Sequence, residues 1–463
     1  MKALRVWFGR FFSPGALVIV LIALTTSTIV ALLPTKQIEG IPFWLTAKPH
    51  FEAYTPLIEE WNREKPDQKI AMMLLHGGAL ERRMLAGFLS GTPVADVMEA
   101  HLGIAAKAFL GPVENVGFVD LTERLHREGI YEQINTPSFA PYTSRGHIFG
   151  VPHDVHPVLL AYRADLVEAA GIDVSEIETW EDYFRVMRPL MKDKDGDGRP
   201  DRYLLSAWDS RADTTTMLIL QAGGDFFDEQ DNPIINSEIN AEVLARLVTW
   251  FTGPNRVCID VDPFTASGHR QRLDGLVIGT MCPDWMAGAW KLENPLLSGK
   301  IKLMPLPAWE KGGRRTSVAG GTMIGITKTS ENIETCWELI QHLYLSPQLA
   351  EHTYRNTTII SPVKTLWSES FYDEPDPFFS GQPVGRMYIE QAPDVPRRSS
   401  SPYVNDAAIR VTTALLDLRT YADRHRIYDE AALKVEARRL LDHAQRSLIQ
   451  LIERNAFLQH EES

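Results

Sequence analysis

Cysteine is scarce in this chain. Only three cysteines occur among 463 residues, and they lie far apart at Cys258, Cys282 and Cys336. Their number is odd and their spacing fits neither a zinc site nor a disulfide framework, so we expect free, buried thiols. None of them directly follows the apolar run near the N-terminus, which excludes a lipid-modified N-terminal cysteine as a membrane tether.

Blocks of positive charge are also missing. Lys and Arg total 47 against 60 Asp and Glu, which gives a formal net charge of −13 at pH 7. An acidic chain without a Lys/Arg-rich block is a poor candidate for binding nucleic acid or anionic lipid through a basic face. Tandem repeats and low-complexity tracts are absent as well. The length and composition are those of a globular protein with two or more lobes.

Charge is absent again between Arg10 and Lys36. This apolar run is longer than a signal-peptide core and long enough to span a bilayer, and no clear A-x-A cleavage site follows it. We therefore predict that segment 1–36 is an uncleaved signal and membrane anchor, with its basic N-terminus in the cytoplasm. A cleaved signal peptide with a poor site is the alternative. Both interpretations export the body of the protein, which is then periplasmic or otherwise extracytoplasmic.

Helices and strands alternate in the next hundred residues. An apolar stripe at helical spacing predicts the first helix, through Phe51, Tyr54, Leu57, Ile58 and Trp61. A strand over 69–75, a helix in "GGALERRMLAGFLSG" and a strand in "PVADVMEAH" follow, which predicts a mostly parallel α/β sheet. Ligands of such sheets lie beyond the carboxyl ends of the strands. His76, Glu99 and His101 are therefore candidate binding residues, with ordinary loop structure as the alternative.

The stretch "KDKDGDGRPD" has the spacing of a calcium loop. Carboxylates at positions 1, 3 and 5, a carbonyl at 7 and a carboxylate at 9 would supply the hard oxygen ligands that Ca²⁺ prefers, from Asp193, Asp195, Asp197, Arg199 and Asp201. Position 12 is Leu204, so the bidentate glutamate of an EF-hand is missing. The segment after the loop, "PDRYLLS", resembles a strand and not a second helix. We expect a structural Ca²⁺ site, with a metal-free Asx-rich turn as the alternative.

The helix before this loop has a recognisable start, because Thr179 can cap it with Asp182 three residues later. Near the other end of the chain, 406–455 is predicted to be almost wholly helical. Between them, the Pro-rich and aromatic stretch "YDEPDPFFSGQPVGRMYIEQAPDVPRRSSSPYV" is interpreted as an ordered loop that crosses the surface.

Several motifs together resemble one known family. They are "GVPHDVHPVLLAYRADLVEAAGID", "TWEDYF", "AGGDFFDE", "IGTMCPDWMAGAW" and "VAGGTMIGITKTSENIETCWELIQHL", in this order from about residue 48 onward. The chain thus resembles the extracellular solute-binding proteins, family 1, of ABC importers, the group that includes maltose-binding protein. The family's Gly-Pro-Trp turn reads "CPDW" here, and the hinge carries two histidines, which leaves the ligand open.

The resemblance implies an α/β, periplasmic-binding-protein-like fold. Two α/β lobes are joined by hinge strands, with a ligand cleft between them that closes by hinge motion, and the N-terminal transmembrane helix precedes them. The implied lobes are 37–153 with 305–350, and 154–304 with 351–463. The chain is expected to cross between the lobes near 153–156 and again near 304–307.

The resemblance also implies binding residues in the cleft. Trp285 matches the aromatic residue of the ligand strand, and core packing is the alternative for it and for Trp208. The full set of expected ligand contacts is His76, Glu99, His101, His153, Asp154, His156, Trp208, Asp209, Trp285, Gly320, Gly321 and Tyr403. Such a cleft binds sugars because aromatic faces stack on the C–H faces of pyranose rings while polar edges bond the hydroxyls.

The resemblance leads to one expected function. The protein is expected to capture a sugar or oligosaccharide and to deliver it to the permease subunits of an ABC transporter. It is expected to be a monomer, to be tethered to the membrane by its N-terminal helix and to catalyse no reaction. The same fold could bind a polyol, a sugar phosphate or another small solute, or serve a sensor kinase. A secreted calcium-dependent carbohydrate enzyme, with Glu99, Asp154 and Asp209 as candidate carboxylates, is the alternative from another class. The two hinge histidines could also bind a metal or titrate.

Overall fold

The computed structural model describes residues 14–32, 39–193, 196, 198–207 and 211–455. It divides into two compact units at Gly40. The first contains one described helix, α1 (Pro14–Leu32). Within the described ranges, no helix combines the length and the apolar character that crossing a membrane requires. The rest of the predicted 1–36 anchor, residues 1–13 and 33–36, lies outside the described residues.

The second unit contains two five-stranded sheets. The first sheet has the order β2-β1-β3-β12-β6. Its strands are β1 (Ile41–Leu45), β2 (Ile70–Leu74), β3 (Val97–His101), β6 (Val151–Pro152) and β12 (Thr322–Ile326). β1 pairs in parallel with β2 and β3, whereas β12 pairs antiparallel with β3 and β6. A short hairpin of β4 (Thr143–Ser144) and β5 (His147–Ile148) precedes β6.

The second sheet has the order β11-β7-β10-β8-β9. Its strands are β7 (Val158–Arg163), β8 (Tyr203–Ser206), β9 (Cys258–Ile259), β10 (Val277–Pro283) and β11 (Ile301–Pro305). β8 pairs in parallel with β9 and β10, whereas β7 pairs antiparallel with β10 and β11. The predicted parallel pairing is confirmed for β1, β2 and β3, whereas each complete sheet is mixed. A strand that leads to or from the other sheet is not joined to its neighbour by a helical crossover. Such a strand can therefore pair antiparallel.

Helices surround both sheets. Those nearer the N-terminus are α2 (Lys48–Glu64), α3 (Gly77–Ser90), α4 (Leu102–Lys107), α5 (Thr122–Arg127), α6 (Ile130–Gln133), α7 (Thr136–Phe139), α8 (Ala164–Ala169), α9 (Trp180–Met187), α10 (Ala212–Gln221) and α11 (Glu238–Phe251). Those nearer the C-terminus are α12 (Ala266–Leu273), α13 (Asp284–Glu293), α14 (Ile333–Tyr344), α15 (Pro347–Thr357), α16 (Val384–Gln391), α17 (Val404–His425) and α18 (Glu430–Glu453).

Local sequence signals explain several of these helices. The predicted stripe of α2 is confirmed, because Tyr54, Leu57, Ile58 and Trp61 are buried on one face. The predicted cap of α9 is confirmed too: the Thr179 hydroxyl accepts from the Asp182 backbone N–H at 3.1 Å, and the Asp182 carboxylate accepts from the Thr179 backbone N–H at 3.1 Å. These two bonds satisfy donors that a helix start leaves free.

The chain passes between the two sheets twice. Residues 153–157 connect β6 of the first sheet to β7 of the second, and residues 306–321 connect β11 of the second sheet to β12 of the first. The two sheets with their helices are therefore the two α/β lobes of the protein, joined by these connecting segments. The three cysteines are free and buried, as predicted.

The stretch predicted as an irregular surface loop, 372–404, is largely packed. It contains α16, and Tyr372, Phe379 and Tyr388 within it are fully buried. The Tyr388 hydroxyl donates to the carbonyl oxygen of Cys282 at 3.0 Å. The loop prediction was wrong here because the prolines lie outside the helix, with Pro383 at its N-cap, where proline does not disturb helical hydrogen bonding.

Candidate functional site

A cavity of about 750 Å³ lies between the two lobes. From the first lobe it is lined by the start of α2 and by the ends of β3 and β12; from the second it is lined by α13. Five of the predicted residues line it: His101, His156, Trp285, Gly320 and Gly321. A cavity of this size falls in the range of pockets that enclose drug-sized ligands.

The indole of Trp285 is fixed in the cavity wall. Trp285 is the second residue of α13, and its indole Nε1 donates to the carbonyl oxygen of Ala319 at 2.8 Å. Its backbone N–H donates to the Asp284 carboxylate at 2.7 Å. The bond to Ala319 reaches the second connecting segment, so the orientation of the ring depends on the relative position of α13 and that segment.

Two glycines allow the second connecting segment to approach this ring. Gly320 and Gly321 have φ angles of 103° and 131°, a region that side chains with a Cβ rarely adopt. A Cβ on Gly320 would lie 2.7 Å from Cδ2 of His156 and 3.0 Å from Nε1 of Trp285. The absence of side chains here therefore leaves room both for the aromatic wall and for a ligand.

His156 lies between two buried carboxylates. Its Nε2 donates to Asp154 at 3.0 Å and its Nδ1 donates to Asp284 at 2.6 Å. Both ring nitrogens face acceptors, so both must carry protons and the imidazole is charged. Burial alone would lower the pKa of His156, but the charges of Asp154 and Asp284 raise it to about 10. His156 is thus a fixed cation, and it holds the first connecting segment against the start of α13.

Asp154 is the anion between the two hinge histidines. Its Oδ2 also accepts from Nδ1 of His153 at 3.3 Å. Burial opposes ionisation, but the charge of His156 and the bonds from both histidines hold the pKa of the Asp154 carboxyl well below its usual range. The pKa of His153 is lowered, first by burial and then by the neighbouring His50.

Glu99 lies behind the cavity, fully buried. Its Oε1 accepts from His50 at 2.8 Å, and its Oε2 accepts from the hydroxyls of Tyr54 and Tyr344 at 2.5 and 2.8 Å. Burial would raise the pKa of Glu99, but the charge and the hydrogen bond of His50 lower it to about 2. The imidazoles of His50 and His153 stack with centroids 4.0 Å apart. A continuous buried chain of polar groups therefore runs from Glu99 through the hinge to Asp284.

Other predicted residues lie elsewhere or outside the described part of the chain. His76 is exposed, and its Nδ1 accepts from the Gly78 backbone N–H at 3.3 Å at the start of α3. Tyr403 is buried beside a separate cavity of about 410 Å³, together with Leu110 and Asp231. Trp208 and Asp209 lie outside the described residues.

The calcium-like loop is described only in part. Asp195 and Asp197 lie outside the described residues, while Asp193, Arg199 and Asp201 lie within them. The two carboxylate oxygens of Asp193 accept from the backbone N–H groups of Gly196 and Gly198 at 2.7 and 2.9 Å. Among the described residues, no three His, Cys, Asp or Glu side chains are grouped to hold a metal ion.

Several residues of the site were not predicted from the sequence. They are His50, Glu52, Glu293, Thr322 and His352 in the cavity lining, Asp284 behind it, and Arg398, which donates to the carbonyl oxygen of Gly320. A signal existed for His50, which lies four positions before Tyr54 on the apolar stripe of α2. Another existed for Asp284, which stands directly before Trp285, where the family's Gly-Pro-Trp turn has proline. Arg398 lies in the segment that was interpreted as a surface loop.

Two α/β lobes, two connecting segments and an aromatic-walled cavity between the lobes define the class of hinged, two-lobed binding proteins. The family described as bacterial extracellular solute-binding protein matches residues 47–349. The chain belongs to this family, and its body is therefore an extracytoplasmic solute-binding protein.

Individual proteins resemble the chain over most of its length. An arabinooligosaccharide-binding protein from Halalkalibacterium halodurans is 23% identical over 390 residues, which are 82% of this chain and 85% of the relative. A Bacillus subtilis protein with the same name is 24% identical over 308 residues, which are 65% of this chain and 68% of the relative. The structure of the sugar-binding protein MalE from Xanthomonas citri superposes with a TM-score of 0.70 and 17% identity, covering 90% of this chain and 99% of MalE.

Proposed function

We propose that this protein captures a neutral sugar or oligosaccharide in the cavity between its lobes and delivers it to the permease subunits of an ABC transporter. The observation that carries the proposal is Trp285, whose ring is held in the cavity wall by its bond to Ala319. Around it, His50, His101 and Thr322 offer polar edges. An aromatic face with hydrogen-bonding groups at its margin is the arrangement that binds a sugar ring.

The charges around the cavity favour a neutral ligand. Its described lining contains the carboxylates Glu52 and Glu293 but neither Lys nor Arg. The cation of His156 is already balanced by Asp154 and Asp284. A sugar phosphate entering the cavity would meet these two carboxylates and no Lys or Arg of the lining, which costs free energy in a partly desolvated site. The volume of about 750 Å³ leaves room for more than one sugar ring.

Delivery to a permease requires that the loaded protein differ from the empty one. A ligand held by Trp285 on one lobe and by the end of β3 on the other binds only when the lobes are close together. It thereby shifts the population towards the closed form. The closed form then presents a surface that a permease recognises; a sensor partner would use the same difference.

We propose that the protein has no catalytic activity. A glycosidase needs two carboxyl groups that can reach one glycosidic bond. Here both oxygens of Glu99 are occupied by His50, Tyr54 and Tyr344, and Asp154 is buried between two histidines. These contacts support structural roles for both carboxylates.

Three further parts of the proposal start from the sequence. The absence of charge between Arg10 and Lys36 supports a tether to the cytoplasmic membrane by the N-terminal segment, and the protein is expected to act as a monomer. The spacing of Asp193, Asp195, Asp197, Arg199 and Asp201 supports a structural Ca²⁺ site. Membrane fractionation of cells under alkaline wash tests the tether: retention in the pellet is expected, and release of the full-length chain would exclude it.

A thermal-shift screen tests the binding function. The full chain, in a detergent without a sugar headgroup, is mixed with arabinose, arabinobiose, arabinotriose, maltose, lactose, ribitol and glucose 6-phosphate. A ligand at a hundred times its Kd adds roughly 2.7 kcal/mol to the free energy of unfolding. We expect a neutral saccharide to raise the Tm of the native protein, to be recovered uncleaved, and to raise the Tm of Trp285→Ala much less.

Three results would contradict parts of the proposal. Stabilisation by the phosphate alone would refute the neutral ligand, and cleavage of a saccharide would refute the absence of catalysis. If ribitol alone raised the Tm, the ligand would be a polyol and not a sugar. Leu89→Ala, an exposed residue of α3, serves as the control substitution because its side chain is 65% exposed and lies outside the cavity lining.

A further inference from the structure

A small internal cavity lies beside the hinge residue His153. Its volume is about 20 Å³, which is enough to hold one water molecule. All of its lining residues are buried, and the polar ones among them are His153, Tyr344, Thr353 and Ser361. The rest of its wall consists of leucine, isoleucine and alanine side chains. A polar group that faces this cavity must therefore find its partner among very few atoms.

The hydroxyl group of Thr353 is one polar group in this wall that needs a partner. Thr353 is only 4% exposed, and its Oγ1 forms no hydrogen bond with any described residue. A helical threonine can donate to the carbonyl oxygen four residues earlier, as Thr357 does to Thr353 at 2.6 Å. Thr353 does not use this bond. Since buried hydroxyl groups are hydrogen-bonded in the large majority of cases, a water molecule is the partner that the cavity can supply.

A ring nitrogen of His153 is the second polar group that needs a partner. Nδ1 of His153 lies 3.3 Å from Oδ2 of the ionised Asp154 carboxylate, so Nδ1 carries a proton. Burial and the stacked ring of His50 lower the pKa of His153, which keeps the imidazole neutral. In a neutral imidazole with its proton on Nδ1, Nε2 is an acceptor. Among the described residues, no hydrogen bond to Nε2 of His153 is present.

We infer that the small cavity binds one ordered water molecule, which donates to Nε2 of His153 and bonds the hydroxyl group of Thr353. The hydroxyl group of Ser361 can supply a third bond, and three bonds are typical of a buried water. This water holds His153 in the tautomer whose proton faces Asp154. It also joins the first connecting segment to α15, whose residue His352 lines the large cavity between the lobes. The inference is independent of the proposed function.

A crystal structure of the full chain in detergent, at a resolution that shows ordered waters, tests the site directly. We expect one density peak in the cavity, at about 2.7–3.2 Å from both Nε2 of His153 and Oγ1 of Thr353. Thr353→Val keeps the shape of the side chain without the hydroxyl and is expected to lose the peak, whereas Thr353→Ser is expected to retain it. The inference is overturned if the native protein shows no peak beside an ordered His153, if the peak has the short ligand distances of a metal ion, or if it persists in Thr353→Val.

Nitrogen NMR of the full chain labelled with ¹⁵N-histidine tests the effect on His153, whose signals are identified by their loss in His153→Gln. We expect a protonated Nδ1 and an unprotonated Nε2, and we expect the Nε2 signal to shift in Thr353→Val because the bond from the water is lost. Thr412→Val is the control: Thr412 is also buried in a helix, but its hydroxyl donates to the carbonyl oxygen of Ala408 at 2.8 Å. The control is expected to leave the His153 signals unchanged. A proton on Nε2, or an unchanged Nε2 signal in folded Thr353→Val, would refute the water bridge.

Discussion

Nδ1 of His156 lies 2.6 Å from Oδ1 of Asp284, and this contact joins the first connecting segment between the lobes to the start of the helix that carries Trp285. Oδ2 of the same carboxylate accepts from the backbone N–H of Ile360 at 2.9 Å, just after α15. One carboxylate thus connects the hinge, the aromatic wall of the cavity and the segment that follows α15. His156 itself has a φ of 57°, and its two carboxylate bonds hold it in this unfavourable conformation.

Replacing His156 is expected to destabilise the fold strongly. His156→Gln leaves two buried carboxylates without their shared cation, and breaking a buried ion pair in this way costs about 3–5 kcal/mol. The measurement is the free energy of unfolding by urea. His147→Gln is the matched control, because His147 pairs with Asp120 at 2.7 Å but both side chains are more than 40% exposed. The control is expected to lower the free energy of unfolding by less than about 1 kcal/mol. Equal losses in both variants would contradict the role of His156 as a buried cation between Asp154 and Asp284.

The stabilisation by His156 is expected to decline at alkaline pH. Its pKa is raised from an ordinary value of 6.5 to about 10 in the folded protein. Folded His156 therefore holds a proton that the unfolded chain has lost between these values, and its contribution is complete below pH 6.5 and disappears as the pH rises through 10. The slope for one proton is about 1.4 kcal/mol per pH unit.

The difference in free energy of unfolding between the native protein and His156→Gln measures this contribution. It is expected to be largest near pH 6.5 and to shrink steadily towards pH 10. A difference that stays constant across this range would show that His156 is not charged in the folded protein. The exposed variant His147→Gln should give a small difference throughout.

A methyl group on Gly320 is expected to impair ligand binding. The Cβ of Gly320→Ala would lie 2.7 Å from His156 and 3.0 Å from Trp285, so one of these rings must move. We expect a loss of saccharide affinity of about tenfold or more, since an overpacked site must displace its neighbours. Gly146→Ala is the control: φ is also positive, at 83°, but no atom lies within 4 Å of the added Cβ. It should lower stability by about 1 kcal/mol through backbone strain and leave affinity unchanged.

The calcium loop is expected to act on stability and not on ligand binding. Adding CaCl₂ to chelator-treated protein should raise the Tm, and Asp193→Asn should remove that response. Saccharide affinity should be the same with and without chelator, because Asp193 is absent from the cavity lining. Asp228→Asn is the control, since Asp228 also accepts from backbone N–H groups, of Gln230 and Asn232, in a turn without the calcium spacing. No Tm response to CaCl₂ would favour a metal-free turn, and an affinity that depends on chelator would contradict the separation of the two sites.

Much of the local structure could be predicted because its causes are local. The stripe of α2 and the Thr179–Asp182 cap depend on residues within a few turns of each other. The direction of strand pairing could not be predicted in the same way. β12 inserts between β3 and β6 although more than 150 residues separate it from both in the chain. The direction of β12 depends on where residues 306–321 lead the chain back into the first sheet. No local sequence pattern predicts that position.

The sequence by itself determined local features such as the stripe of α2 and the cap of α9, the order of the motifs and the choice of Trp285 as a candidate, because hydrophobic periodicity, caps and family motifs are properties of neighbouring residues. Only the tertiary structure decided what surrounds Trp285. His156 and Asp284 are 128 positions apart, and Ile360, which donates to the same carboxylate, is 76 positions beyond Asp284. Such contacts depend on how two lobes and their connections fold together, since a buried charge is stable only where the whole fold supplies its partners.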